Sequence, residues 1–446
     1  MTLKGIDALV VGMKKSGVAS AALLAREGAR VRATDLKPLD SLPGVRELHI
    51  PFAQQTPAVF EGAELIVLSP DVPADLAPLE DARRRGVPVI GEVELAAPFL
   101  KGRTIGITGS NGKTTTTSLI GHILGESGVI VQVGGNIGVP VTGMIDSSRD
   151  DGWNVLELSS FQLETIVEFR AHIALALNVT QNHLDRHHTF ENYAAAKGRL
   201  FETQRAGDYA VLNADDPVCA SYAGRSAAAP QWFSSRRELE SGAEPGATLC
   251  GDQLILDGQL LMAAGEIPIR GRHNVENVLA ASIAAARAGV THAAIAAAVR
   301  TFRAVEHRLE FVRSVSGVEF YNDSKATSVD ATLKALDAFP GGLWVILGGK
   351  DKGLEYTALR QPLAAKAHAA LLIGAAAPKI ADQLQGAVPL VPAKTIEAAI
   401  AHAYEHAVPG DTVLLAPACA SFDQFQSYEH RGQFFKQIVN QLTAKN

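Results

Sequence analysis

Apolar residues along this chain fall into short unbroken runs separated by stretches patterned at the helical period. That is how strands buried on both faces and alternating with amphipathic helices read. Residues 7–12 (DALVVG) form such a run. Gly17 to Gly28 then places Val18, Ala21, Ala22, Leu24 and Ala25 on one helix face, and residues 29–35 (ARVRATD) read as a second strand. This is a βαβ opening. Further strands are expected at ELIVLSP, ending at Pro70, and at VPVIG, ending at Gly91, so that a nucleotide-sized α/β unit closes near Pro98.

A second segment starts with the strand RTIGITG, a Gly-rich turn and a helix over Thr114–Glu126, and continues through the strands WNVLELS and AHIALALNV. From about Ser221 to Gly271 the pattern is irregular and rich in Ala, Ser and Gly, which suggests short β-structure; a helix over His273–Ala288 follows. A third segment begins around Phe302, where GVEFYND, LWVILGG, AALLIG and DTVLLAP alternate with helical patterns. That alternation predicts another doubly wound sheet. The expected fold class is α/β, in three domains spanning 1–98, 99–301 and 302–446.

With 446 residues, 47% hydrophobic and 20% charged, the chain can build several cores and is not a candidate for disorder. No signal-peptide pattern opens it and no apolar stretch reaches the roughly 18 residues that span a bilayer. Three scattered cysteines suit a reducing compartment, so a cytoplasmic protein is expected, without a membrane partner. A net charge of −6 with dispersed basic residues gives no footprint for nucleic acid.

The strongest chemical signal is Gly106-Ile-Thr-Gly-Ser-Asn-Gly-Lys-Thr114, between a β-branched strand and a helix. Glycines there let backbone N–H groups converge on phosphate oxygens, Lys113 reaches terminal phosphates, and Thr114 can ligate magnesium. The strict pattern would put glycine at Ile107, so this is a variant loop. Glu157, at the polar end of an apolar strand, is where a metal-facing acid would sit, although taken alone it reads equally well as a solvated strand-end acid. The cluster Asn178 to His188 packs histidines and a carboxylate into a strand-end loop, which could also be a merely polar loop. Lys197 by itself reads as an exposed helix lysine. Asn274 and Asn277 stand at i and i+3 on one helix face. Loops 322–328, 347–353 and 417–425 each follow a strand-like run, and together they describe a site rim.

In this order GITGSNGKTT, GGNIGVP, ELSSFQLE, NVTQNHLDRH, HNVENVLAA, HRLEF, NDSKATS, LGGKDKG and PACASFDQF resemble the Mur ligase family over essentially the whole chain. NDSKATS and ACASFDQF are similar to the glutamate-adding branch of that family. The resemblance implies a Rossmann-like N-terminal domain for a UDP-substrate, a central P-loop ATPase domain and a Rossmann-like C-terminal domain. It implies ATP and Mg2+ as cofactors, UDP-N-acetylmuramoyl-L-alanine and D-glutamate as substrates, and a monomer.

Carried over by residue, the resemblance gives catalytic roles to Lys113, His183, Lys197 and Lys325. ATP contacts fall on Gly109, Ser110, Asn111, Gly112, Lys113, Thr114, Thr115, Thr116, Asn274, Asn277, Arg308 and Asp323. UDP-substrate contacts fall on Ser16, Asp35, Ser69, Asn136 and His183, and the glutamate pocket on Thr327, Lys352, Ser421 and Tyr428. Metal ligands would be Thr114, Glu157, His183 and Lys197, the last as a carbamate. This chain departs from the family pattern at Asn182, at Asp71 and at Lys14-Lys15. The expected reaction activates a carboxylate with ATP as an acyl phosphate, which the amine of glutamate then attacks. Alternatives are the same chemistry with another amino acid such as L-glutamate, or a related Mur or folylpolyglutamate-type ligase. A nicotinamide oxidoreductase is disfavoured because Gly12-Met-Lys-Lys-Ser-Gly17 lacks the middle glycine of GxGxxG, and a noncatalytic P-loop switch leaves the third-segment loops without purpose.

Overall fold

A computed structural model describes residues 2–239, 245–303 and 305–445. The chain divides into two compact units, Met1–Glu266 with Glu276–Arg300, and Ile267–Val275 with Thr301–Asn446.

The first unit holds two sheets. In the first, β1 (Asp7–Val11), β2 (Arg30–Asp35), β3 (Phe52–Gln54), β4 (Leu65–Leu68) and β5 (Val89–Gly91) run parallel in the order β3-β2-β1-β4-β5. Residues 8–11 and all of β4 are buried, as continuous apolar runs demand when helices cover both faces. The order reverses between β2-β1 and β4, and the crevice beyond the carboxyl ends of β1 and β4 is the switch point.

The second sheet comprises β6 (Arg103–Thr108), β7 (Val131–Gly135), β8 (Trp153–Glu157), β9 (Ile173–Ala176), β10 (Tyr209–Asn213), β11 (Ala229–Ser234), β12 (Gly246–Cys250), β13 (Gln253–Leu256) and β14 (Gln259–Ala263). Its order is β14-β13-β12-β11-β10-β9-β6-β8-β7, with antiparallel pairing only from β12 to β14. The irregular stretch expected as short β-structure is therefore β11 to β14, and its strands extend the sheet. β6 lies between β9 and β8, so whatever follows these three strands shares one edge.

The second unit carries β15 (Glu310–Val315), β16 (Val318–Asn322), β17 (Leu343–Gly348), β18 (Ala367–Ile373), β19 (Leu390–Lys394) and β20 (Thr412–Leu415). They are ordered β15-β16-β20-β17-β18-β19, all parallel except β15 on β16. β15 and β19 escape a reading based on apolar runs because both are half-exposed edge strands, and β19 contains Pro392, which only an edge tolerates.

Candidate active site

The loop after β6 is a phosphate cradle built from backbone. Gly109 and Gly112 have φ of 151° and 82°, and a Cβ on Gly112 would run into the Asn277 amide, so this turn requires glycine. Gly106 instead sits within β6, where a Cβ would press on Leu200 Cδ1 at 3.0 Å; its glycine serves packing. Asn178, at the end of β9, clamps the loop. Its Oδ1 accepts from Asn111 N at 2.9 Å and its carbonyl from Ser110 N at 2.8 Å. Ser110 Oγ lies 3.0 Å from both Thr180 O and the Tyr193 hydroxyl. The helix Lys113–Glu126 follows, with Thr114, Thr115 and Thr116 buried in its first turn and Thr116 Oγ1 donating to Asn277 Oδ1 at 3.2 Å. A helix N-terminus behind a loop of converging amides attracts a polyphosphate.

Lys113 Nζ donates to Gly109 O at 2.7 Å and Ser110 O at 3.1 Å. Lys197 is not the exposed helix lysine that its spacing suggests: it is 1% exposed, and its Nζ donates to Gly109 O at 2.9 Å. The helix Phe190–Glu202 packs this face against β6, and Tyr193, one turn earlier, puts its ring 4.6 Å from the amine. Burial first, and the Lys113 charge second, push the Lys197 pKa far below the ordinary lysine range.

Glu157 is not solvated either, being 2% exposed. Its Oε1 accepts from Asn136 Nδ2 at 2.8 Å, while Oε2 is buried with no hydrogen-bond partner among the described residues. The Lys197 amine senses Glu157, and His183 senses both Lys197 and Lys113. These four groups share one neighbourhood. His183 takes a left-handed φ of 53°, which presents its ring to Phe161 at 5.0 Å, and burial lowers its pKa. Beneath it His187 is buried and held down to about 4, chiefly by desolvation. Its Nδ1 lies 3.0 Å from Glu164 Oε1; with the imidazole neutral, this is a hydrogen bond donated to the carboxylate rather than an ion pair.

At the switch point of the first sheet lies a cleft of about 890 Å³ lined by Ser16, Ser69 and Asn136, with Lys14, Lys15, Lys37 and Asp71 among its charged groups. Ser69 Oγ donates to Gly12 O at 2.6 Å. Asp35 accepts from Met13 N at 2.6 Å and Lys37 N at 2.9 Å, so its carboxylate fixes the loops on either side of it. Lys14 and Asp71, singled out in the sequence as unusual at their positions, meet here, Lys14 Nζ pairing with Asp71 Oδ2 at 2.6 Å.

In the second unit, the loops after β16, β17 and β20 adjoin, since these strands are neighbours. Ala418 N donates to Ala326 O at 2.9 Å and Lys350 N to Ala420 O at 2.8 Å, which ties the three loops together. Lys352 Nζ donates to Thr327 O at 3.1 Å, and Ser421 is buried beside them. Lys325 Nζ lies 5.2 Å from the Tyr428 ring. Lys325 N donates to His307 O, next to Arg308, and the buried Asp323 carboxylate accepts from Leu309 N at 3.3 Å. Burial drives the Asp323 pKa up to about 7 against the pull of Arg308. Asn274 Nδ2 donates to Arg270 O at 2.6 Å, whereas Asn277 belongs to the first unit and braces the phosphate loop.

Sequence reasoning missed the side chains that hold these groups. Tyr193 stands four residues before Lys197, a spacing that could have flagged a shared helix face. Arg431, in the helix Tyr428–Gln441, is fully buried and donates to Ser324 Oγ at 2.9 Å, Ser324 O at 2.8 Å and Cys419 O at 3.2 Å; nothing local distinguishes it from a surface arginine.

Residues 107–285 match the Mur ligase middle domain, and residues 307–419 match the Mur ligase, glutamate ligase domain. The chain is 80% identical, over all of both chains, to the UDP-N-acetylmuramoylalanine–D-glutamate ligase of Solibacter usitatus. It is 53% identical to the enzyme of that name from Acidobacterium capsulatum, over 98% of this chain and 97% of the other. Among solved structures it is similar in fold to the UDP-N-acetylmuramate-alanine ligase of Thermotoga maritima, at 17% identity and a TM-score of 0.60 over 98% of this chain and 99% of that one. With two matched domains and relatives this similar along their full length, the chain belongs to the Mur ligase family.

Proposed function

We propose that this chain is an ATP-dependent amide ligase that joins D-glutamate to UDP-N-acetylmuramoyl-L-alanine in the synthesis of peptidoglycan precursors. The observation that carries the reading is the convergence of Lys113, Lys197, Glu157 and His183 around a phosphate loop at the carboxyl ends of β6, β8 and β9. The names of the full-length relatives support the choice of substrates.

Each group then has a role. Lys113 leaves the carbonyls of its own loop to neutralise charge on the transferring phosphoryl group, and the amides of Gly109 to Gly112 hold the phosphates. Attack by the alanyl carboxylate on the γ-phosphorus of ATP gives an acyl phosphate and releases ADP, and attack by the glutamate amine on the acyl carbonyl expels phosphate and leaves the amide. Ser16, Ser69 and Asn136 line the cleft for the nucleotide substrate. Thr327, Lys352, Ser421 and Tyr428 hold glutamate, and Asn274, Arg308, Asp323 and Lys325 serve ATP.

Mg2+ fits the residues present. Among the described residues no cluster of three or more His, Cys, Asp or Glu groups could hold a metal ion. The orphaned, buried Glu157 Oε2 nevertheless asks for a cation, and Thr114, a carbamate on Lys197 and His183 would complete the protein's share of the ligands. When bound, the ion neutralises phosphate charge. Domain limits of 1–98, 99–301 and 302–446, a cytoplasmic location and a monomeric state belong to the same reading.

Phosphate release from ATP tests it. It should require UDP-N-acetylmuramoyl-L-alanine and D-glutamate together and should fail with L-glutamate, L-alanine or diaminopimelate. Release with any other amino acid, or without one, would sink the assignment.

A further inference from the structure

Arg186 has no part in the reading above, yet it is among the most heavily engaged side chains of the first unit. It lies in the one-turn helix Leu184–His187, three residues beyond His183, with its side chain 13% exposed. The guanidinium carbon sits 4.7 Å from the Phe161 ring centre, and Nη2 reaches Glu164 Oε2 at 3.3 Å. The same fork crosses to the loop after β4. Nη2 donates to Val72 O at 2.6 Å, and Nη1 lies 3.4 Å from both Pro70 O and Asp71 O. That loop begins at Ser69, which is fastened to Gly12, and its Asp71 carboxylate holds Lys14 at the start of the helix Lys15–Arg26. A continuous set of contacts therefore runs from the histidine loop of the second sheet to both nucleotide loops of the first.

We infer that Arg186 is a positioning residue that sets the span between the nucleotide end and the acyl end of one extended substrate, with the Asp71–Lys14 pair continuing the brace to the loop after β1. The inference rests on the ligase reading, in which a single molecule reaches from the cleft beside Gly12 and Ser69 to the phosphate loop. Each end is held by a separate sheet. The sheets share one apolar core and are also joined by Glu92 on Thr142 and by Glu94 on the amides of Val167 and Phe169; beside the nucleotide loops the span is set by Arg186, through backbone carbonyls, which cannot swing aside as side chains do. A planar five-donor fork suits this task and an ammonium does not. Binding energy from the distant uridine end helps the reaction only if that end is fixed relative to the reacting carboxylate. A misplacement of about 1 Å can cost roughly 100-fold in rate.

The experiment compares full-length wild type with Arg186→Met and Arg186→Lys, using UDP-N-acetylmuramoyl-L-alanine and its truncated form, 1-phospho-N-acetylmuramoyl-L-alanine, which lacks the uridine. Arg186→Met should lose on the order of 10- to 100-fold in kcat with the full substrate, while kcat with the truncated one changes far less. The Kd for UDP, by calorimetry, should stay near that of wild type. Arg186→Lys keeps a cation over Phe161 but not the fork, and should show an intermediate loss in the same pattern; it carries the test if the methionine variant does not fold. Asp71→Gly and Lys14→Ala should each lose up to about 5-fold, as befits an exposed ion pair, and no more when combined. Equal losses with both substrates would mean that Arg186 only stabilises the fold, and a weakened UDP Kd with unchanged kcat would make it an ordinary binding residue; either overturns the brace alone. A wild-type enzyme inactive with the full substrate would overturn the ligase reading and the brace with it.

Discussion

Lys113 and Lys197 donate to the same carbonyl oxygen, that of Gly109, at 2.7 and 2.9 Å. Two ammonium groups would repel across so short a span, and burial together with that repulsion pushes the Lys197 pKa well below the ordinary lysine value. Burial and the neighbouring Lys113 charge thus favour the neutral form of the Lys197 amine. A neutral amine is the form that adds carbon dioxide, and the resulting carbamate would convert a repulsion between cations into an attraction toward Lys113.

Lys197→Ala should therefore be nearly inactive and partly rescued by short carboxylic acids such as formate or acetate, which restore an oxygen ligand. Depleting bicarbonate should lower wild-type activity reversibly. Wild-type activity should also fall as acid protonates the amine, because the depressed pKa leaves it neutral only above its folded value. Mass spectrometry of enzyme trapped with an alkylating agent would read the carbamate directly. Full activity in carbon dioxide-free buffer would refute the assignment.

Gly112 tests the cradle by geometry. Its φ of 82° and the Asn277 amide against it leave no room for a side chain. Gly112→Ala should raise the Kd for ATP at least 10-fold, a loss of about 1.4 kcal/mol or more, with little change in UDP affinity. Lys113→Ala should bind ATP but lose several kcal/mol of transition-state stabilisation. A Gly112→Ala enzyme with normal nucleotide affinity would mean that the loop does not hold phosphate.

Asp323 predicts a pH signature in stability. Its folded pKa, up at about 7 through burial, lies above its value in the unfolded chain, so the folded state binds the extra proton in between. The stabilisation from that proton is complete below the unfolded pKa and is lost as pH rises toward about 7. Asp323→Asn removes the loss. Its melting temperature should overtake that of wild type progressively from pH 4 to 7, by up to about 1.4 kcal/mol per pH unit, and then run parallel. Parallel curves throughout would show that Asp323 titrates normally.

The elements that local pattern can report were legible from sequence: the β6 strand, the glycine turn and the helix after it lie within a single stretch of chain. Many of the sheet strands followed from apolar runs, but the half-exposed edges β15 and β19 did not, nor did the short β3, the edge strand β7 or the buried β10 within the second sheet. What could not be read was burial set by distant partners. Lys197 is buried because its helix packs on β6, some 90 positions earlier. Arg186 finds its carbonyl partners more than 110 residues upstream. Lys14 and Asp71 each looked like an isolated departure until the switch point brought them together.

The last prediction concerns the amino acid that is added. Lys352 Nζ donates to Thr327 O at 3.1 Å, and the loops bearing Thr327, Lys352 and Ser421 are bonded to one another through Ala326, Ala418, Lys350 and Ala420. One ammonium and two hydroxyls at the carboxyl ends of β16, β17 and β20 suit a substrate with two carboxylates. The Lys352 side chain is exposed, so its ammonium is open to an incoming carboxylate, while desolvation by the surrounding loops lowers its pKa. Lys352→Ala should raise the KM for D-glutamate by about 10- to 100-fold, the range expected when a charged hydrogen-bond partner is lost, and leave the KM values for ATP and the UDP-substrate near wild type. Thr327→Val and Ser421→Ala should move the same constant by smaller factors. Because Lys352 also holds the Thr327 carbonyl, Lys352→Arg serves as the control: it keeps the charge and should recover part of the loss. If all three KM values rise together in Lys352→Ala, the residue supports the loops rather than the substrate, and the glutamate pocket lies elsewhere on this unit.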